Sequence, residues 1–238
     1  MASSYVETAD IETASDGYAA RFSGPVGEWM LGVQESIALG WIRESAVAST
    51  LDVGGGHGQL AIPLAHAGYP VTVLGSDPVC AKRIEAEVRA GKIKFQTGNV
   101  IALPFPDQSF DVAISVRLLP HCERWPELVK EMCRVARKSV IVDYPVESEL
   151  SSILFGAKKK LEGNTRMWLS FRHAVVETEF EKHGFKLKRR IGQFFLPMVF
   201  HRTLKCRATS EFLEGICRGL GLTRCWGSPV LAEMERFS

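Results

Sequence analysis

Leu51-Asp52-Val53-Gly54-Gly55-Gly56-His57-Gly58-Gln59-Leu60 is the stretch on which the reading of the fold turns. A short apolar strand ends in an acid and runs into four glycines within five positions, and Gln59 to Ala67 then reads as a helix. Glycine at Gly54, Gly56 and Gly58 lets the backbone take positive φ and approach a bound molecule where a Cβ would collide. The helix start that follows offers unpaired N–H groups and a partial positive charge, so the loop is predicted to hold a ligand with an anionic part. Two ligand classes fit. Counted from Gly56, the run through Ala61 satisfies the dinucleotide fingerprint G-x-G-x-x-G/A, with Asp77 about where a ribose-binding acid belongs. Counted from Asp52, it is D-x-G-x-G-x-G.

Downstream, strands alternate with helices. Val71 to Leu74 is the second predicted strand, ending in Gly75-Ser76-Asp77-Pro78; a helix is expected over Val79 to Ala90 and a third strand over Ile93 to Gln96. The next stretch, Thr97-Gly98-Asn99-Val100-Ile101-Ala102-Leu103-Pro104-Phe105-Pro106-Asp107-Gln108-Ser109-Phe110-Asp111, carries the sequence L-P-F-x-D-x-S-F-D. Val112 to Val116 is nearly all apolar, as a parallel strand covered on both faces should be. It leads into Arg117-Leu118-Leu119-Pro120-His121, a helix over Trp125 to Arg137, and a fifth strand over Ser139 to Asp143.

The glycine loop read from Asp52 together with the L-P-F-x-D-x-S-F-D block resembles the class I S-adenosylmethionine-dependent methyltransferases that act mostly on small molecules. That resemblance implies an α/β fold: a Rossmann-like, seven-stranded, mostly parallel sheet with helices on both faces and a reversed C-terminal β-hairpin. It implies S-adenosyl-L-methionine as cofactor and S-adenosyl-L-homocysteine as product. The implied cofactor residues are Asp52 for the methionine amino group and the turn of Gly54, Gly55, Gly56, His57 and Gly58 for the carboxylate and ribose side. Asp77 or Ser76 is implied for the ribose hydroxyls, Asn99 and Val100 for the adenine, and Ser115 at the end of the fourth strand. Asn99 stands where the family carries an acid; its amide can still accept from an adenine amino group, without charge assistance. Asp77 before Pro78 could instead simply cap the next helix, Val79 to Ala90.

His121 lies beyond the carboxyl end of the fourth strand, where open α/β sheets place reacting groups, and is the candidate general base; it could also be a loop histidine bonded to backbone. Tyr18 and Phe22 form the Y-A-x-x-F segment that in such enzymes makes a lid over cofactor and acceptor, or else pack a flanking helix on the core. Tyr144, Arg166 and Phe194 are further candidates for an acceptor pocket.

The chain is expected to be one domain over residues 1–238: lid helices over 1–45, a cofactor core over 46–145, and a substrate-side half over 146–238 with a helical insertion and the last hairpin. Met1 to Ala14 shows no periodicity and is expected to be mobile or loosely attached. Leu150 to Leu161, Ala174 to His183, Met198 to Arg207 and Glu211 to Leu220 read as helices, and Phe185 to Ile191 and Val230 to Glu235 as the final pair of strands. Gly163 to Arg166 reads as a turn.

Six cysteines without a C-x-x-C pair indicate neither zinc nor a disulfide framework, and no signal peptide or membrane span is read, so a cytoplasmic enzyme without metal is expected. Residues 151 to 238 hold 16 basic and 8 acidic side chains, which reads as a solvated face before a nucleic-acid surface. Signatures of base-modifying enzymes are absent after the fourth strand. A small, partly apolar acceptor methylated on oxygen is the preferred reading; a non-catalytic adenosylmethionine binder and a nicotinamide-dependent oxidoreductase are the alternatives.

Overall fold

A computed structural model describes residues 5–45, 47, 49–147 and 168–237. Among these residues the strands form one seven-stranded sheet: β1 (Thr50–Val53), β2 (Val71–Gly75), β3 (Ile93–Thr97), β4 (Phe110–Ser115), β5 (Ala136–Tyr144), β6 (Phe185–Gly192) and β7 (Val230–Arg236). Their spatial order is β3-β2-β1-β4-β5-β7-β6. The first five are parallel, and β7 runs antiparallel to both β5 and β6. The reversed final pair expected from the resemblance is therefore present. Because β2 lies on one side of β1 and β4 on the other, a crevice opens beyond the carboxyl ends of β1 and β4, the place where such sheets take ligands.

The helices are α1 (Ala9–Thr13), α2 (Asp16–Ala19), α3 (Gly24–Glu44), α4 (Ala61–His66), α5 (Glu85–Arg89), α6 (Trp125–Val135), α7 (His173–Glu181), α8 (Met198–Leu204), α9 (Arg207–Gly219) and α10 (Leu222–Trp226). None among the described residues is long and apolar enough to cross a membrane. The last three fall between β6 and β7.

Apolar side chains cover both faces of the sheet, which is why β1, β4 and β5 are buried along nearly their whole length. Alternation along a strand sends successive residues to opposite layers. Val140, Val142 and Tyr144 of β5 join the layer built with Met132 of α6 and Phe180 of α7, whereas Ile141 joins Leu64 of α4 and Ile42 of α3. Strand β6 lies on the edge, and its exposed Lys186, Lys188 and Arg190 blunt that edge against further pairing.

Several local expectations are corrected. Of Met1 to Ala14, residues 1–4 lie outside the described residues, and 5–14 are packed down: they form α1 and bury Glu7, Asp10 and Thr13. The helix expected over Val79 to Ala90 is broken into a 3₁₀ turn at Pro78–Ala81 and α5, because Asp77 and Pro78 start a tight turn. The helix ending at Arg137 stops at Val135, and β5 takes Ala136 to Lys138 directly from it. The expected helix over Leu150 to Leu161 and the turn at Gly163 to Arg166 lie outside the described residues.

Candidate functional site at the strand ends

Strand β1 delivers Asp52 and then a turn that only glycines permit. Gly54 and Gly58 have φ of +74° and +76°. A Cβ on Gly56 would lie 2.2 Å from the Cys80 carbonyl oxygen. The turn is locked to the sheet by the Gly54 N–H, which donates to the Leu74 carbonyl at 2.8 Å. Asp52 is buried against it, and its Oδ2 has no hydrogen-bond partner. Burial pushes the Asp52 carboxyl up to about 7, with the Arg117 guanidinium pulling the other way. A buried oxygen left this way is poised to meet a donor or cation from a ligand.

His57 turns its ring inward. Its Nδ1 accepts from the Gln59 N–H at 3.2 Å, so the ring proton sits on Nε2, 3.4 Å from the Val116 carbonyl. Burial first, then Arg117, holds the imidazole well below its ordinary value, so it is neutral. Gln59 donates to Gln34 at 2.7 Å and Gln34 donates to Asp143 at 2.8 Å, linking the glycine turn to the end of β5.

At the end of β2 the two expected ribose residues point different ways. The half-buried Asp77 accepts from the Val79 N–H at 2.8 Å and caps its own turn. Ser76 instead faces the crevice, where its N–H and Oγ–H donate to the two carboxylate oxygens of Asp10 at 2.6 and 2.5 Å. Beyond β3, Asn99 Oδ1 accepts from the Glu7 N–H at 3.3 Å and its amide donates to the Tyr5 carbonyl at 2.8 Å. Val100 is buried beneath it. Ser115 Oγ donates to the Val53 carbonyl at 3.0 Å, joining two adjacent strands.

A small cavity of about 60 Å³ adjoins the crevice, lined by Tyr18, Phe22, Met30, Gln34, Arg117, His121, Asp143, Trp168, Gln193 and Met198 among others. Arg117, at φ +63°, follows β4. Its guanidinium lies over the rings of Tyr18 and Phe22, 5.4 and 4.8 Å from their centroids. Its backbone N–H donates to Asp143 at 2.5 Å, and its Nε is buried without a partner. His121 stands edge-on between Tyr18 and Trp168, at 5.9 and 5.1 Å.

Of the predicted acceptor residues, Tyr18 and Phe22 reach this cavity. Tyr144 does not: strand alternation turns it into the opposite layer, where its hydroxyl meets His173 Nδ1 at 3.1 Å, while Asp143 takes the cavity side. Phe194 packs with Val26, Met30 and Trp29 behind the cavity. Arg166 lies outside the described residues. The residues not foreseen are Asp10, Gln34, Arg117 and Gln193. For Arg117 there was a signal, a lone cation at the carboxyl end of a nearly all apolar strand; for Asp10, in an aperiodic segment, there was none.

Residues 51–142 match the family described as Methyltransferase domain. The chain is 33% identical over 184 residues to an uncharacterized methyltransferase of Mycolicibacterium paratuberculosis, covering 73% of this chain and 66% of that one. It is 31% identical over 136 residues to the demethylmenaquinone methyltransferase of Deinococcus radiodurans, covering 51% and 55%. The chain thus spans about half to two thirds of the length of these curated relatives. The fold matches magnesium protoporphyrin IX methyltransferase from Synechocystis PCC 6803 with bound SAH at a TM-score of 0.66, over 96% of this chain and 98% of that one. At 16% identity that likeness concerns the fold alone.

Proposed function

We propose that the chain is a class I S-adenosylmethionine-dependent methyltransferase, a reading supported by the match of residues 51–142 to a methyltransferase domain, and that it transfers a methyl group to an oxygen of a small, partly apolar acceptor held in the cavity under Tyr18 and Phe22. The observation that carries this reading is Arg117, which lines the cavity and directly follows Val116, whose carbonyl lies 3.4 Å from His57 of the glycine turn, so donor and acceptor would meet at the end of one strand.

The residues present fit adenosylmethionine. The glycine turn packs so closely on Asp52, Cys80 and Leu118 that only glycines can present its backbone to a ligand, and the unpartnered Asp52 Oδ2 suits an ammonium group. Ser76 offers two donors and Asn99 an amide at the nucleoside end. Gly54 to Gly58 and His57 would line the methionine portion, Ser76 the ribose, and Asn99 with Val100 the adenine. When bound, the cofactor supplies a methyl group on a positively charged sulfur that is already a good leaving group.

The protein's own contribution is then orientation, exclusion of water, and control of the acceptor's proton. Tyr18, Phe22 and Trp168 supply apolar ring surface for a flat acceptor. The spare Nε of Arg117 and the Nε2 of Gln193, both buried without partners, would receive an acceptor oxygen and favour its anionic form. His121, at the cavity wall, would take the proton. One guanidinium, that of Arg117, set against the two carboxylates of Asp52 and Asp143 leaves this trio net negative when both are ionised, which suits a positively charged methyl donor.

Transfer of labelled methyl from adenosylmethionine to a panel of phenols and hydroquinones tests the reading. Methyl ether products are expected, and Arg117→Met should lower kcat/KM by about a hundredfold while leaving adenosylhomocysteine affinity within a few-fold. A carbon-methylated product would overturn the choice of oxygen, and equal rates in the variant would overturn the role of Arg117.

A further inference from the structure

The groups best placed to hold a nucleoside already hold a part of this chain. Asp10 is fully buried in the crevice, with both carboxylate oxygens on Ser76. Its Cβ lies where a side chain on Gly54 would reach, at 3.4 Å, and the Cys80 thiol points at its Oδ2 at 3.4 Å. Asn99 engages the backbone of Tyr5 and Glu7 as it would engage an amide-like edge, one acceptor and one donor. The buried Glu7 carboxylate accepts from Thr8 and Ala9 N–H groups at 3.0 and 3.1 Å, holding the segment in its turn.

We propose that Tyr5 to Asp10 is an intramolecular competitor of the cofactor: it fills the ribose and adenine positions and must leave Ser76 and Asn99 before adenosylmethionine can bind. This rests on the assignment of the crevice to that cofactor. Two charge-assisted bonds to one serine cannot coexist with ribose hydroxyls on the same donors, so ligand and segment exclude one another. The apparent affinity is then the intrinsic affinity reduced by the fraction of molecules with the segment released.

The segment also has an outer strap. Asp16 pairs with Lys82 and Arg83 at 3.0 and 2.6 Å, and Arg83 Nε donates to the Ala14 carbonyl at 3.2 Å. These pairs lie at the surface, outside the crevice, so they can be cut without touching the cofactor's own contacts.

Calorimetric titration of the full chain with adenosylhomocysteine provides the test, together with hydrogen exchange of the amides of residues 5–14 and 54–58. Asp10→Ala should bind about tenfold more tightly, a gain of about 1.4 kcal/mol. Asp16→Asn should bind two- to threefold more tightly, as expected for loss of a surface strap. In the wild type, ligand should speed exchange over 5–14 while protecting 54–58. Unchanged or weaker binding by Asp10→Ala, or residues 5–14 staying protected in the complex, would overturn the competition while leaving the cofactor assignment standing. Absence of binding and of protection at 54–58 in wild type and variants alike would overturn the cofactor assignment and the competition with it.

Discussion

The crevice has two ends built from similar strand-end loops, yet their polar groups are satisfied differently. At the glycine turn after β1, Asp52 keeps a buried oxygen without a partner. At the ends of β2 and β3, Ser76 and Asn99 are bonded to the protein's own N-terminal segment. A site that leaves a polar group unsatisfied gives up stability, whereas one that pairs its groups internally keeps stability and makes the ligand compete for them. On the proposed assignment of the cofactor, the methionine end would be prepared by geometry and the nucleoside end guarded by self-association.

The largest effect is expected at the most crowded position of the prepared end. Gly56→Ala places a methyl group against the Cys80 backbone, which cannot yield without moving the turn. A stability loss of about 2–3 kcal/mol by chemical denaturation is expected, along with loss of adenosylhomocysteine binding of a hundredfold or more. Retained binding in a folded Gly56→Ala protein would show that the turn does not cradle the ligand.

Next comes Asp52, where function and stability should pull apart. Its carboxyl titrates at about 7 in the folded chain, mainly through burial, against an ordinary value of 3.8. The folded protein therefore holds this proton more tightly than the unfolded one. Its contribution to stability is greatest below about 3.8 and is lost as the pH rises to about 7. Asp52→Asn should consequently be more stable than wild type at pH 8, on the order of 2 kcal/mol, while binding adenosylhomocysteine roughly tenfold or more weakly. Wild-type affinity should also fall as the pH drops through 7, since the ligand's ammonium needs the ionised carboxylate. Thermal denaturation and calorimetry at pH 6 and pH 8 check both signs, and equal affinities at the two pH values would contradict the pairing.

The smallest effect is expected at the guarded end. Asp77 spends its carboxylate on the Val79 N–H. Asp77→Ala should cost about 1 kcal/mol through loss of the cap and alter adenosylhomocysteine affinity less than threefold. A tenfold loss of affinity would mean that Asp77 turns inward when ligand binds and that the two ends are more alike than their present contacts indicate.

Much of the architecture was legible because its determinants are local and periodic. Apolar runs at Val71 to Leu74 and Val112 to Val116 announce strands covered on both sides, and Gly54 to Gly58 announces a turn that other residues could not make. The helix after β2 was misjudged because propensity favoured continuity where Asp77 and Pro78 impose a tight turn. Tyr144 was misassigned because a one-residue shift along a strand exchanges its two faces, and the face that meets the cavity depends on which helix covers it.

By itself the amino-acid order determined the sheet, the glycine turn, the acid before it, and the strand ends at which a ligand should sit. Only the tertiary structure decided that Ser76 rather than Asp77 faces the crevice, that Arg117 lines the cavity with its guanidinium over Tyr18 and Phe22, and that Asp10 lies buried on Ser76. The reason is distance along the chain: periodicity and turn chemistry act over a few residues, whereas Asp10 meets Ser76 across 66 positions and Gln34 meets Asp143 across 109. Such pairings are fixed by packing, and nothing in the aperiodic N-terminal residues announces them.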